Sequence, residues 1–131
     1  MREYRARFPS AYASAARARH AIVDFARPWF DHQALSDIEC AVGEALANAA
    51  EHGHADDAEF EVHCRYDGRQ ISIDIVDAGP GFSRWNASEY VRPMSDSPRG
   101  YGTFIMRNLM DTIEYGERGS RCRLVKRRRP S

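Results

Sequence analysis

The chain is short of several things, and each shortage narrows what it can be. It has three cysteines in 131 residues, Cys40, Cys64 and Cys122, an odd count with no metal-type pairing such as C-x-x-C. Each falls in an apolar run, so all three are predicted to be small core residues. Net charge is lacking too: 19 basic residues balance 19 acidic ones, so nothing overall demands a nucleic acid or an anionic membrane. No apolar run reaches membrane-spanning length, and the opening MREYRARFPS has no apolar signal region. A cytoplasmic, reduced protein is expected. Neither an internal repeat nor a low-complexity segment occurs, and neither the P-loop G-x-x-x-x-G-K-[ST] nor a dinucleotide G-x-G-x-x-G after a first strand is found.

What is present is ordinary globular material, 43% apolar and 29% charged, in a length that suits one domain with a real core. Local charge is less even. Arg121, Arg123, Lys126, Arg127, Arg128 and Arg129 crowd the C-terminus. They read as a solubilising end, with an acidic partner as the alternative.

The stretch Ser36 to His54, SDIECAVGEALANAAEHGH, organises the chain. Ser36 and Glu39 have capping-box spacing, and Gly53 is a natural stop, so the spacing predicts a helix between them. Ile38, Ala41, Val42, Ala45, Leu46 and Ala49 make its apolar face. Glu44, Asn48 and His52, four residues apart, form one stripe bordering that face. A carboxylate one turn before a carboxamide places a proton acceptor beside a neutral oxygen ligand, which suits a base next to magnesium. Two polar residues on a solvated helix edge would read the same way.

Before this helix, Tyr4, Ala6 and Phe8 alternate with charged residues and predict a short strand ended by Pro9. Ser10 is the expected cap of a helix through AYASAARARHAIVDFA, with Ala15, Ala18, Ile22, Phe25 and Ala26 on one side and closure at Pro28. WFDHQAL is expected to be a loop. After His54 the period becomes two. Phe60, Val62, Cys64 and Tyr66, then Ile71, Ile73 and Ile75, predict a hairpin turning at Asp67-Gly68. Residues 82–99 have no sustained period and read as a long functional loop, with a short helical turn near Ala87 to Val91. YGTFIMRNLMD returns to helical spacing, and Ile113 to Tyr115 and Arg121 to Lys126 predict two last strands. Antiparallel strands with separately gathered helices imply an α+β, two-layer sandwich with helices on one sheet face.

Two glycine boxes lie on this frame. The first, Asp77-Ala78-Gly79-Pro80-Gly81, follows a strand end. Asp77 can accept a hydrogen bond from the exocyclic amine of adenine while the glycines admit the ring, although a plain turn has the same composition. The second, Arg99-Gly100-Tyr101-Gly102-Thr103, stands where loop becomes helix. There free N–H groups can cradle phosphate, or a glycine can simply cap the helix.

E-x-x-x-N on a helix, D-x-G-x-G after a strand, a long loop, then G-x-G opening a helix: this order resembles the GHKL superfamily of ATPases, with its N box, two glycine boxes and lid. Within it the chain looks most like the small anti-sigma-factor serine/threonine kinases, over about Tyr4 to Lys126. The segments E-A-L-A-N-A-A-E-H and G-Y-G-T-F-I-M-R-N-L-M-D carry the likeness. The resemblance implies a Bergerat-type fold in one ATPase domain over residues 1–131, with a lid at roughly 82–99. It makes Glu44 the general base toward a serine or threonine hydroxyl of a protein substrate, and Asn48 the holder of magnesium on ATP. Asp77 would read adenine, with Gly79 and Gly81 shaping its pocket. Gly100, Gly102 and Thr103 would face the phosphates, where Arg99 could add a positive charge, and Ser120 stands where the family usually places threonine near adenine. His52 follows a family habit, with helix-edge packing its simpler role.

The implied function is an ATP-binding anti-sigma factor that phosphorylates an anti-sigma-factor antagonist and so regulates transcription. Its partners would be a sigma factor and that antagonist, in a homodimer, with no direct nucleic acid and no membrane. The rival is a nucleotide-dependent module that sequesters a partner without phosphotransfer; Glu44 favours the enzyme. A sensor histidine kinase's catalytic domain fits less well, since 131 residues leave no room for a phosphoacceptor bundle and none of His20, His32, His52, His54 or His63 sits in a convincing acceptor helix. Gyrase-like relatives would need a further transducer domain. Trp29, Phe30, Trp85 and Tyr90 are the aromatic candidates for partner contact, with buried packing the alternative for each.

Overall fold

A computed structural model describes residues 1–52, 59–77, 108–116 and 121–129, with side chains in the second helix described as far as Ala49. The elements are β1 (Arg2–Pro9), α1 (Tyr12–Ala26), α2 (His32–His52), β2 (Glu59–Tyr66), β3 (Gln70–Asp77), β4 (Thr112–Gly116) and β5 (Arg121–Arg127). Among the described residues, all four strand pairings are antiparallel, in the order β1-β2-β3-β5-β4. α1 packs over β1 and β2, and α2 over β3 and β5, which is the expected α+β sandwich.

Alternation decides which sheet face meets the helices. Phe60, Val62, Cys64, Ile71, Ile73, Ile75 and Leu124 are at most 2% exposed and form the inner face. Against them α1 sets Ala18, Ile22 and Ala26, and α2 sets Ile38, Ala41, Val42, Ala45, Leu46 and Ala49. Five of these nine helix residues are alanines, so both helices approach each other and the sheet closely. Phe8 stacks on Phe60 across the β1–β2 pair, with centroids 5.5 Å apart.

The hairpin forms as expected, and its turn is well specified. The Asp67 carboxylate accepts the N–H groups of Arg69 (2.8 Å) and Gln70 (2.9 Å), while Gly68 takes φ +95°. Those N–H donors hold the exposed Asp67 carboxyl below its ordinary value. β1 includes Pro9 and tolerates it, because an edge strand need not donate on its open side.

Both predicted caps are wrong. α2 starts at His32, four residues before Ser36, because Asp31 caps it: Asp31 Oδ1 accepts Ala34 N–H at 2.8 Å and its carbonyl accepts Leu35 N–H at 2.9 Å. A carboxylate at this position also meets the positive end of the helix dipole. The segment expected as a loop thus supplies the first turn, drawn in because Ala34 and Leu35 pack against the core. Ser36 and Glu39 are exposed within the helix. α1 has Ala11, not Ser10, at its N-cap, with no side-chain cap, and Ser10 Oγ is buried without a partner among the described residues.

Cys40 is exposed on α2 rather than in the core, being two positions past Ile38 and off the buried stripe; Cys64 and Cys122 are buried as expected. Gly53, the long loop, the turn near Ala87 and most of the helix expected over YGTFIMRNLMD lie outside the described residues; Asn108 and Leu109, at that helix's end, are helical.

Candidate functional site

α2 carries Glu44 and Asn48 at intermediate exposure, each adjacent in sequence to a buried alanine, Ala45 or Ala49. They sit at the edge of the core stripe, on one line up α2, because 3.6 residues per turn return every fourth side chain to nearly the same direction. The side chain of His52, one turn further, lies outside the described residues.

Asp77 closes β3, opposite Phe60. It shares the parity of Ile71, Ile73 and Ile75, so it points toward the helix layer, and it is only 8% exposed. A buried carboxylate at the end of an otherwise apolar row is expensive unless it accepts hydrogen bonds, and Asp77 has an interaction partner. α2 and β3 start at the same end of the domain: the first turn of α2 and the β2–β3 turn line one cavity there. Seven residues of strand span about 23 Å, and the twelve helical steps from Ser36 to Asn48 span about 18 Å. Asn48 and Asp77 therefore both lie away from that end, with Glu44 one turn nearer the middle of α2. Gly79, Gly81, Arg99, Gly100, Gly102, Thr103 and Ser120 lie outside the described residues.

Two features of the described residues were not read from the sequence. On the open sheet face, Asp74 is 4% exposed and receives three arginines: Arg123 (2.6 and 3.0 Å), Arg121 (3.1 Å) and Arg65 (3.4 Å). Burial pushes the Asp74 carboxyl up, but hydrogen bonds from Arg123 and Arg121 outweigh it and hold the group below the ordinary carboxylate range. Most of the basic "tail" is consequently strand. Arg121 and Arg123 neutralise Asp74, and Lys126 donates to Asp37 on α2 (3.2 Å) and to the Leu109 carbonyl. The signal was available in the parity of β5, where Arg121 and Arg123 alternate with Cys122 and Leu124.

The second feature is the cavity of about 1250 Å³ between the start of α2, the β2–β3 turn and the end of β5. It lies away from Glu44, Asn48 and Asp77, so its size says nothing about the nucleotide chemistry. Of the aromatic candidates, Phe30 is buried and Trp29 is half-buried, stacked on Tyr66 with centroids 4.0 Å apart; Trp85 and Tyr90 lie outside the described residues.

Fold and motif order now converge with comparison to known proteins. Residues 8–126 match the histidine kinase-like ATPase domain, and the chain belongs to that family. It is 28% identical over 117 residues to the serine-protein kinase RsbW of Staphylococcus epidermidis, covering 78% of this chain and 71% of that protein. It is 27% identical over 99 residues to the anti-sigma F factor of Clostridium beijerinckii, covering 70% of this chain and 68% of the other. Among solved structures, the mycobacterial sensor histidine kinase MprB superposes with a TM-score of 0.57 at 17% identity, over 96% of this chain and 100% of that one. This last likeness is one of fold alone.

Proposed function

We propose that the chain binds ATP with magnesium and transfers the γ-phosphoryl group to a serine or threonine of a protein partner, as an anti-sigma factor acting on its antagonist. The observation that carries this reading is the half-buried Glu44–Asn48 stripe on the core edge of α2, in a chain of the histidine kinase-like ATPase family. Relatives named as a serine-protein kinase and an anti-sigma factor support the partner class.

The donor chemistry fits the group that the family implies. Asn48 offers a neutral hard oxygen to magnesium, and Asp77 offers an acceptor to the adenine amine. Bound magnesium would supply charge neutralisation on the phosphates. Glu44, one turn before Asn48, accepts the proton of the incoming hydroxyl as its oxygen attacks phosphorus, with ADP leaving. The core-packed helix fixes their Cα positions one turn apart, so the proposed base and the proposed magnesium ligand share one stripe. Cytoplasmic location and a homodimer belong to the same proposal; among the described residues no helix is long and apolar enough to cross a membrane.

The test is calorimetric titration with ATP, with and without magnesium, on the native protein and on Glu44→Ala, followed by a phosphotransfer assay on a serine-bearing antagonist protein. Magnesium-dependent binding by both proteins and transfer by the native one alone is expected. Full transfer by Glu44→Ala removes the base, and absence of ATP binding removes the whole reading. Binding without any transfer by the native protein leaves a sequestering module.

A further inference from the structure

We propose that the cavity at the end of the domain remote from Glu44 and Asn48 is a docking site for an acidic segment of a partner protein, one with an apolar side chain among its carboxylates. The proposal holds whether or not the chain transfers phosphate.

One wall is aromatic and rigid. Trp29 stacks on Tyr66 with an interplanar angle of 12°, and Phe25 packs edge-on against it at 5.2 Å. Tyr66 Oη in turn accepts Arg128 Nη1 at 3.1 Å. The indole is half-buried, so an apolar side chain entering the cavity meets a preformed surface without ordering it.

The other wall is basic. Five cationic side chains line the cavity, Arg69, Lys126, Arg127, Arg128 and Arg129, against two carboxylates, Asp31 and Asp37. The chain as a whole is neutral, so this excess is local. Both carboxylates are already engaged. Asp31 caps α2, and Asp37 accepts Lys126 at 3.2 Å and Gln33 at 3.0 Å. Arg69, Arg127 and Arg129 are exposed, and Arg69 also lies near enough to Asp67 to favour its charged form. The backbone of Arg69 and Arg127 is nevertheless held: Arg127 N–H donates to Asp111 Oδ2 at 2.6 Å and Arg128 N–H to the Arg69 carbonyl at 2.7 Å. The cations are thus presented from a fixed scaffold, which lowers the entropy lost on binding.

Charge complementarity selects an anionic occupant, and the remaining details select a peptide. A chain of zero net charge lacks the broad positive field of a nucleic-acid binder, and the stacked Trp29 face offers a contact to an apolar side chain. At about 1250 Å³ the cavity exceeds the usual ~300–1000 Å³ small-molecule pocket. Asn48 lies eleven residues beyond Asp37, about 16 Å along the helix, so both ends can be occupied at once.

The experiment titrates the full chain with a short fluorescent peptide of Glu and Asp with one central Leu, reading anisotropy. Expected are saturable binding, a loss of about tenfold or more in the triple variant Arg69→Glu, Arg127→Glu, Arg129→Glu, and unchanged affinity in Glu44→Ala. Circular dichroism checks that the triple variant is folded, and the three sites are exposed. Replacing the peptide's Leu by Gly should weaken binding severalfold. Undiminished binding by the triple variant or by the Gly peptide, no binding at all, or tighter binding of an oligothymidylate than of the peptide would each overturn the proposal. ATP titration of the same samples reports separately on the nucleotide site.

Discussion

Replacing Asp74 by Asn tests the charge arrangement on the open sheet face. The side chain is 5% exposed and accepts bonds from three arginines that are 32–38% exposed. Breaking a buried pair typically costs ~3–5 kcal/mol, but solvent screens the arginines and asparagine keeps the size and one acceptor oxygen. We expect a loss of about 1–2 kcal/mol at neutral pH, part Coulombic and part from leaving guanidinium donors unmatched. With a urea slope of ~1–3 kcal/mol per molar, the midpoint should fall by about 0.5–1 M with little change in slope. The difference should also depend on pH in one direction. Because the folded Asp74 carboxyl is held below its ordinary value of 3.8, its stabilisation is present above that value and lost as pH falls through the folded one. The gap between native protein and variant should therefore narrow below about pH 4. A midpoint that does not move, or a gap constant from about pH 7 to about pH 3, would refute the assignment.

Three further outcomes are expected. Gly68→Ala should cost about 1 kcal/mol in urea unfolding, because φ +95° burdens any Cβ while no atom crowds the position; a neutral result would mean that the turn relaxes. Burial pushes the Cys64 and Cys122 thiols up to about 12, so in native protein a thiol reagent should modify exposed Cys40 quickly and the other two only on denaturation; equal rates would contradict the packing. Asp77→Asn should weaken ATP binding about tenfold or more through loss of a charged acceptor, and unchanged affinity by calorimetry would remove the adenine role.

The strands and helix faces were legible in the sequence because they depend on period. Phe60, Val62, Cys64 and Tyr66 against Ile71, Ile73 and Ile75 fix a hairpin and its buried face. Ile38 to Ala49 fix the inner stripe of α2, and with it the placement of Glu44 and Asn48 at the stripe's edge. Motif order carried the family, later matched over residues 8–126. Helix starts were not legible, since a cap is a contest between nearby residues. Asp31 prevailed over Ser36 once Leu35 found the core, and Ser10 lost its cap to the turn in which Ala11 N–H bonds the Pro9 carbonyl at 2.8 Å. The partners of charged side chains were decided by tertiary structure alone. Arg121 and Arg123 reach Asp74 across the pairing of β3 with β5, and Lys126 reaches Asp37, 89 residues away, from the opposite face of that strand. Periodicity tells which face a residue takes; only the packed layers bring distant charges within hydrogen-bonding reach.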